Sequence, residues 1–404
     1  MNTPLSPVES RAWIDPPSGP YVVPDSPPAG GLDLTLVLPT FQESRNIRST
    51  LELVSETLRS VAGLTFEIVV VDDDSPDGTW LLALDQAEEI PELRVMRRTA
   101  EKGLATAVIR GWQVARGRIL GVMDADLQHP PEVLAGLTEL MLKGADLAVG
   151  SRHVEEGGVG DWSMIRRVIS RTAQLIGLMI LPEVVGRVSD PMSGYFLVKR
   201  SAIAGRLLNP KGYKILIEVL ARGKVRTIAE SGYVFQERQQ GESKVSMAIY
   251  IEYLEHLLRL RYVLLRDSRL VKFCAVGLSG AVIDMAVLYL LSDPRTLHWG
   301  LTRSKILATE VAVINNFLWN DAWTFANLVP KALSFRGKLR RFVKFNAICS
   351  LGMMLSVILL NLQFNLLGMN RYVANGIAIL AAASWNYFAN ERLGWRSTDR
   401  STLG

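Results

Sequence analysis

Apolar positions along the chain follow two patterns. Between residues 32 and 240, short apolar runs alternate with stretches of helical spacing. Beyond residue 270 the apolar runs become long and nearly continuous. In the first region, 34–38, 66–71, 94–96, 119–123 and 147–150 read as strands. The second strand is apolar almost throughout, as expected when helices cover both sheet faces. Leu51, Val54 and Leu58 recur at helical spacing after the first strand, and 102–112 reads as a loop running into a helix. Strands alternating with helices predict an α/β domain with a mainly parallel sheet over 32–244. Residues 1–31 are rich in Pro, Ser and Gly without apolar periodicity and predict a disordered leader with no chemical role.

In the second region, segments 270–291, 306–326, 342–366 and 372–390 are each long enough to span a bilayer. They predict a four-helix transmembrane domain over 269–392, followed by a tail, 393–404. Before it, 245–268 reads as an amphipathic helix suited to the membrane interface; a core helix is the competing reading. Asp284, Glu310, Asn315, Asn316 and Asn320 lie within the apolar runs, where polar groups usually bond between helices.

The 404 residues are 49% hydrophobic with net charge +5, and mean hydropathy is +0.18. The basic residues do not point to nucleic acid. Arg259, Arg261, Arg266 and Arg269 precede the first apolar segment, and Lys331, Arg336, Lys338, Arg340, Arg341 and Lys344 crowd a later loop. That distribution fits anionic headgroups and places the preceding domain, this loop and the C-terminus on the cytoplasmic side. Cys274 and Cys349 sit far apart inside apolar runs and read as small buried hydrophobes rather than a disulfide or metal pair.

Candidate chemistry lies at the strand ends, where open α/β sheets bind ligands. The 119–123 run ends in Asp124-Ala-Asp126-Leu-Gln128, and Pro130-Pro131 then suits a helix start. Two carboxylates and an amide oxygen suit Mg²⁺ or Mn²⁺ and a diphosphate, although Asp-x-Asp by itself often only caps a turn. The first strand end presents Glu43, and the second Asp72, Asp73 and Asp74. So many converging carboxylates require a cation or hydrogen-bond donors among them. No GxGxxG or GxxxxGK[ST] follows the first strand, which disfavours a dehydrogenase or a P-loop NTPase. The charge then changes sign. Arg152 follows the 147–150 strand, and Arg166 and Ser170 stand at i and i+4 on a predicted amphipathic helix, an arrangement able to hold a phosphate, although by itself it reads first as a solvated basic face and also suits a membrane surface. His129 and His153 read as turn residues, and no His–Asp or Ser–His pairing offers a strong base. A phosphate acceptor, already anionic, needs none.

Pro39-Thr-Phe-Gln-Glu43, Val71-Asp-Asp-Asp-Ser-Pro-Asp-Gly-Thr79, Lys102-Gly-Leu104, Asp124-Ala-Asp-Leu-Gln-His-Pro-Pro-Glu132, Gly150-Ser-Arg152, Ser189-Asp-Pro-Met-Ser-Gly-Tyr195 and Phe235-Gln-Glu-Arg-Gln-Gln-Gly-Glu-Ser-Lys244 occur in that order. Together they resemble the polyprenyl-phosphate glycosyltransferases of glycosyltransferase family two, with the dolichyl-phosphate mannose synthases nearest. Residues 316–325 resemble the GtrA-like membrane domain, which implies anchoring, with lipid presentation, homo-oligomer formation or transport as further roles.

The resemblance implies a GT-A fold, Rossmann-like, acting with Mg²⁺ or Mn²⁺. Pro39, Phe41, Glu43, Asp72 to Asp74 and Lys102 would bind the donor GDP-mannose. Asp124, Asp126 and Gln128 would take the metal and diphosphate, with Asp126 and Gln128 as metal ligands. Arg152, Arg166 and Ser170 would receive the phosphate of dolichyl or polyprenyl phosphate. Arg238, Ser243 and Lys244 would sit in a mobile loop near the phosphates, so that Asp124, Asp126, Arg152 and Arg238 form the catalytic set. Phe41 stands where the family often has Tyr. It keeps ring stacking and loses a phenol hydrogen bond. Asp190-Pro-Met-Ser-Gly194 favours mannose over glucose. The expected reaction is inverting transfer giving a β-linked lipid-phosphate-mannose. The alternatives are a UDP-glucose-dependent polyprenyl-phosphate glucosyltransferase and a lipid-linked-sugar flippase with a non-catalytic soluble domain.

Overall fold

The computed structural model describes residues 6–27, 31–155, 157–158, 164–235, 247–328 and 335–395; for 164–170, 247–250, 267 and 371 it describes the backbone alone. The chain forms two compact units, Met1–Arg261 and Tyr262–Gly404. The first begins with α1 (Pro7–Ala12), β1 (Trp13–Ile14), β2 (Leu32–Thr40), α2 (Ile47–Ser60) and β3 (Phe66–Asp72). It continues with α3 (Thr79–Asp85), β4 (Leu93–Arg97), α4 (Leu104–Val114), β5 (Gly117–Val122) and α5 (Glu132–Leu142). Next come β6 (Leu147–Ser151), α6 (Met164–Ile180), α7 (Pro182–Val185), β7 (Phe196–Lys199) and α8 (Arg200–Ile203). Then follow α9 (Ile215–Arg222), β8 (Ile228–Gly232) and α10 (Met247–Asp267).

One eight-stranded sheet runs β1-β4-β3-β2-β5-β7-β6-β8, and only β7 is antiparallel to its neighbours. Every residue of β3 is buried, because helices cover both faces. On α2, Ile47, Leu51, Val54 and Leu58 repeat at helical spacing and are fully buried in the core with Leu36, Leu38, Ile68 and Val70. The register brings the chemistry to one edge. Thr40 pairs with Asp72 and Asp72 with Arg97, so the ends of β2, β3 and β4 are level, while β5 ends at Val122 opposite Val37, three residues earlier. Close approach needs glycine at two positions. A Cβ on Gly111 of α4 would stand 2.7 Å from Val37, and one on Gly117 would meet the Thr35 nitrogen at 2.3 Å.

The leader departs from expectation. Ser6 caps α1 with a reciprocal Glu9 bond, and β1 adds an edge strand to the sheet, Trp13 against Val95 and Ile14 against Met96. Local composition shows no packing signal there; the order comes from partners some eighty residues away. α10 buries one side and leaves the other exposed. Tyr253 and Leu257 are buried, and the Tyr253 hydroxyl donates to Ala173 O of α6 at 3.2 Å. Ile251, Leu254 and Leu258 on the other side are exposed.

The second unit holds α11 (Arg269–Ser292), α12 (Leu301–Trp319), α13 (Phe335–Asn365) and α14 (Arg371–Ala389). Among the described residues, α11 and α13 are long and apolar enough to cross a membrane. The other two expected spans are 19-residue helices, and α12 carries Arg303, Lys305 and Glu310. α12 and α14 each end in a π-helical turn, Asn320–Thr324 and Asn390–Trp395. Outward side chains such as Leu278, Met285, Met353 and Leu380 are apolar and exposed, as suits lipid. Cys274, expected to be buried, is exposed among them, and neither cysteine is in a disulfide.

This unit is an internal duplication. Arg269, Val271, Lys272, Phe273, Ala275 and Gly280 recur as Arg341, Val343, Lys344, Phe345, Ala347 and Gly352, and Asn316, Asn320 and Asp321 as Asn386, Asn390 and Glu391. The structure repeats too: a Cβ on Gly280 would strike Asn316, and one on Gly352 would strike Asn386, each at 2.2 Å from the amide oxygen. The two copies are clasped crosswise. Arg269 of the first bonds Glu391 of the second at 2.9 Å, and Arg341 of the second bonds Asp321 of the first. Trp395 stacks on Phe325 at the same end and donates its indole N–H to Asp321 at 3.0 Å.

Candidate active site

The carboxylates at the β3 end are kept apart by the donors that their charge demands. Asp72 is fully buried. Its carboxylate accepts from the Thr40 hydroxyl at 2.8 Å, the Ser75 hydroxyl at 2.7 Å and the Ser75 N–H at 2.8 Å. Expected on the nucleoside, it is instead turned inward and braces the turn. Burial pushes its pKa up, against those hydrogen bonds. Asp73 is buried too, held by the Arg98 guanidinium and by the Gly103 N–H at 2.6 Å, while Arg98 also donates to Gly103 O at 3.0 Å. Asp74, with left-handed φ 57°, is the member that reaches solvent, and Arg97 Nε donates to it at 2.7 Å.

Across from it, Phe41 is exposed just past β2, with the Lys102 ammonium 5.6 Å over its ring. Pro39 is buried in β2, and Glu43 accepts from Asn46 Nδ2 at 2.8 Å. An exposed aromatic face, a cation over it and an outward carboxylate suit a base and a ribose.

The β5 end supplies the centre. Asp124 is one-third exposed, whereas Asp126 and Gln128 are nearly buried. Leu127 has a left-handed φ of 58°, and the Gln128 N–H donates back to Asp126 at 3.2 Å, which curls the three oxygen-bearing side chains into one turn. Gly194 lies directly against Asp124: a Cβ there would be 3.1 Å from Asp124 Oδ2. Thus the 190–194 stretch borders the Asp-x-Asp motif. Among the described residues no cluster of three or more His, Cys, Asp or Glu is placed to hold a metal. The donor set here, two carboxylates and an amide oxygen, fits a hard divalent cation.

Arg152 differs from expectation. It is nearly buried, and its guanidinium embraces Asp190 through Nε at 2.6 Å and Nη2 at 2.8 Å. Burial opposes both charges, yet each holds the other: Asp190 is pushed down and Arg152 up. It therefore ties the 190–194 stretch to the end of β6. α6 carries Arg166 and Ser170 one turn apart on its backbone. Their side chains, and Arg238, Ser243 and Lys244 entirely, lie outside the described residues.

One neighbour escaped the sequence reading, and another, His129, was read only as a turn residue. Lys214, just before α9, donates to Met192 O at 2.8 Å. It keeps some exposure, yet the surrounding protein pushes its pKa down to about 7, Arg152 adding to the effect and Asp190 and Asp124 opposing it. Its sequence context, an apolar helix start, resembles any surface lysine. His129 is buried in a cage of Tyr195, Tyr233 and Phe235, ring centroids 5.2 to 5.5 Å away. Burial lowers its pKa to about 3, so it stays neutral and is a poor proton acceptor; its 3.9 Å approach to Asp124 is not an ion pair.

The model of glycosyl transferase family 2 matches residues 35–205, and that of the GtrA/DPMS transmembrane domain matches 272–395. A dolichol-phosphate mannosyltransferase of Pyrococcus furiosus is 38% identical over 368 residues, 90% of this chain and 99% of that protein. The chain belongs to the dolichol-phosphate mannosyltransferase family. The like-named protein of Saccharomyces cerevisiae is 36% identical over 236 residues, 56% of this chain and 86% of its own. Among solved structures, mannosyl-3-phosphoglycerate synthase from Rubrobacter xylanophilus superposes with a TM-score of 0.43 at 23% identity, over 58% of this chain and 74% of that one. As a member of this family the protein is a hexosyltransferase with a GT-A catalytic domain and a GtrA-like membrane domain.

Proposed function

We propose that the protein transfers mannose from GDP-mannose to dolichyl or polyprenyl phosphate at the cytoplasmic membrane face, with inversion and with Mg²⁺ or Mn²⁺. The observation that supports this best is the juxtaposition of Asp124 with Gly194. It sets the diphosphate-side carboxylates against the 190–194 stretch, in a chain whose relative of nearly full length is a mannosyltransferase by name. Phe41, Lys102 and Asp74 form the base and ribose side. Asp126 and Gln128, with Asp124 beside them, would hold the cation, which when bound neutralises charge on the departing diphosphate. Arg166 and Ser170 on α6 receive the acceptor phosphate. Arg152 acts from behind, through Asp190, rather than as an open phosphate ligand. Arg238, Ser243 and Lys244 are the proposed phosphate-side loop.

The acceptor phosphate oxygen attacks the anomeric carbon in line, the carbon–oxygen bond to GDP breaks, and an α-linked donor gives a β-linked product. The attacking oxygen is already ionised, so no residue need take a proton, in keeping with the caged, neutral His129. Arg336, Lys338, Arg340, Arg341 and Lys344 lie on the first turns of α13 and support the cytoplasmic assignment. Purified protein should be given polyprenyl phosphate, Mn²⁺ and labelled GDP-mannose or UDP-glucose in turn, with and without chelator. The reading expects transfer from GDP-mannose alone, abolished by chelator, and a β-anomeric NMR signal. Transfer from UDP-glucose would favour the glucosyl alternative. No transfer from either donor would leave the flippase reading, and an α-linked product would overturn inversion.

A further inference from the structure

The N-terminal segment reaches the donor side of the site by two independent routes. The first starts at Trp13 of β1, whose ring packs edge-on against Trp80, centroids 6.0 Å apart. Trp80 in turn lies under the Arg97 guanidinium, 4.3 Å from the ring centre, and Arg97 holds Asp74. The second starts at Tyr21. Its ring lies 4.4 Å from the Arg110 guanidinium, and its hydroxyl donates to Glu101 at 3.3 Å. Arg110 grips Glu101 through Nε at 3.0 Å and Nη2 at 2.6 Å, and Nη2 also donates to Gly19 O at 3.1 Å. Gln113, one turn along α4, donates to Pro20 O at 2.8 Å and Val22 O at 3.1 Å. Glu101 directly precedes Lys102 and Gly103, the residues that stand over Phe41 and bond Asp73.

Both routes end on the groups that face the base and ribose. Without its partners from the segment, the 98–103 loop would keep the Arg98–Asp73 and Arg110–Glu101 pairs but lose the Tyr21 hydroxyl on Glu101 and the ring that seats Arg110, and Arg97 would lose the wall behind Trp80. We propose that residues 13–22 are a positioning strap that sets the nucleotide affinity of the donor site, although none of them touches the donor. The inference rests on the reading that a guanine nucleotide binds beside Phe41, Lys102 and Asp74. The strap's backbone also pairs with Leu207 and Leu208 ahead of Lys214, but the Trp13 and Tyr21 side chains make the contacts named above on the donor side, so removing those side chains should act on the donor.

Isothermal titration of GDP and, separately, UDP into the full-length protein in detergent, with thermal melts and steady-state kinetics, tests this. Tyr21→Ala and Trp13→Ala should each raise the Kd for GDP and the KM for GDP-mannose by about five- to tenfold, with kcat and the acceptor KM within about twofold. Tyr21→Phe, which keeps the ring on Arg110, should restore most of the affinity. If both alanine variants melt earlier but bind GDP as the unaltered protein does, the segment is only structural and the proposal fails. If the unaltered protein binds UDP and not GDP, the donor reading fails instead.

Discussion

One added methyl group tests whether the border between Asp124 and the 190–194 stretch sets the reaction rate. In Gly194→Ala the new carbon would lie 3.1 Å from Asp124 Oδ2, 3.5 Å from Oδ1 and 3.6 Å from Cγ. The first distance is a few tenths of an ångström too short, and the pressure falls on the side chain. Asp124 is one-third exposed, so it yields by turning rather than by moving β5. The backbone at 194 has no left-handed φ, so alanine brings no strain there. Stability should change by less than about 1 kcal/mol, a melting shift of a few degrees at most. Catalysis should suffer more, since sub-ångström displacement of a positioned group costs about ten- to a hundredfold in rate. The assay is mannosyl transfer to polyprenyl phosphate, beside GDP titration and a thermal melt in detergent. The expected result is that loss in kcat/KM with GDP affinity and melting temperature nearly unchanged. Transfer within twofold of the unaltered protein would refute the placement of Asp124 at the reacting centre.

Gly117→Ala is the contrasting case: backbone atoms of Thr35, Leu34 and Ile119 lie 2.3 to 2.7 Å from its would-be Cβ, so it should cost more than about 3 kcal/mol of folding stability, read as lost expression or an early melt. Arg152→Met should destabilise by about 3–5 kcal/mol because it strands buried Asp190, and Arg152→Met with Asp190→Leu should recover the melt but not the activity. In the membrane unit, Arg341→Ala should lower the melting temperature further than Arg269→Ala, since the Arg341–Asp321 pair is nearly buried and worth several kcal/mol when broken, whereas the more exposed Arg269–Glu391 pair is worth about 1 kcal/mol or less. Asp146 predicts an acid limb. Burial raises its pKa, but the Thr227 and Arg226 N–H groups and Lys199 outweigh that and hold it at about 2, below its usual 3.8. The stabilisation is therefore complete above pH 3.8 and lost as pH falls through about 2, and Asp146→Asn should flatten that limb in an acid unfolding series.

The sequence by itself determined the parts that follow from local periodicity. The strands read at 34–38, 66–71 and 119–123 end within two residues of the observed Thr40, Asp72 and Val122, and the Asp124-to-Gln128 turn and the apolar helices of the second unit were also legible, since apolar spacing and Pro-Pro breaks act over a few residues. The repeat of Arg269–Gly280 as Arg341–Gly352 was also present in the letters, but the crosswise clasp was not, because it joins residues of opposite copies. Only tertiary structure decided which carboxylates face outward. Asp72 and Asp74 are two positions apart, yet Thr40 and Ser75 draw one inward, and a left-handed turn at residue 74 sends the other out toward Arg97. Only tertiary structure revealed that Arg152 spends its charge on Asp190, thirty-eight residues away, and that a Pro-rich leader becomes an edge strand and a strap. Hydrophobic spacing reports which face is buried. It does not report which distant partner completes a charge or covers an edge, and in this protein those partners shape the site.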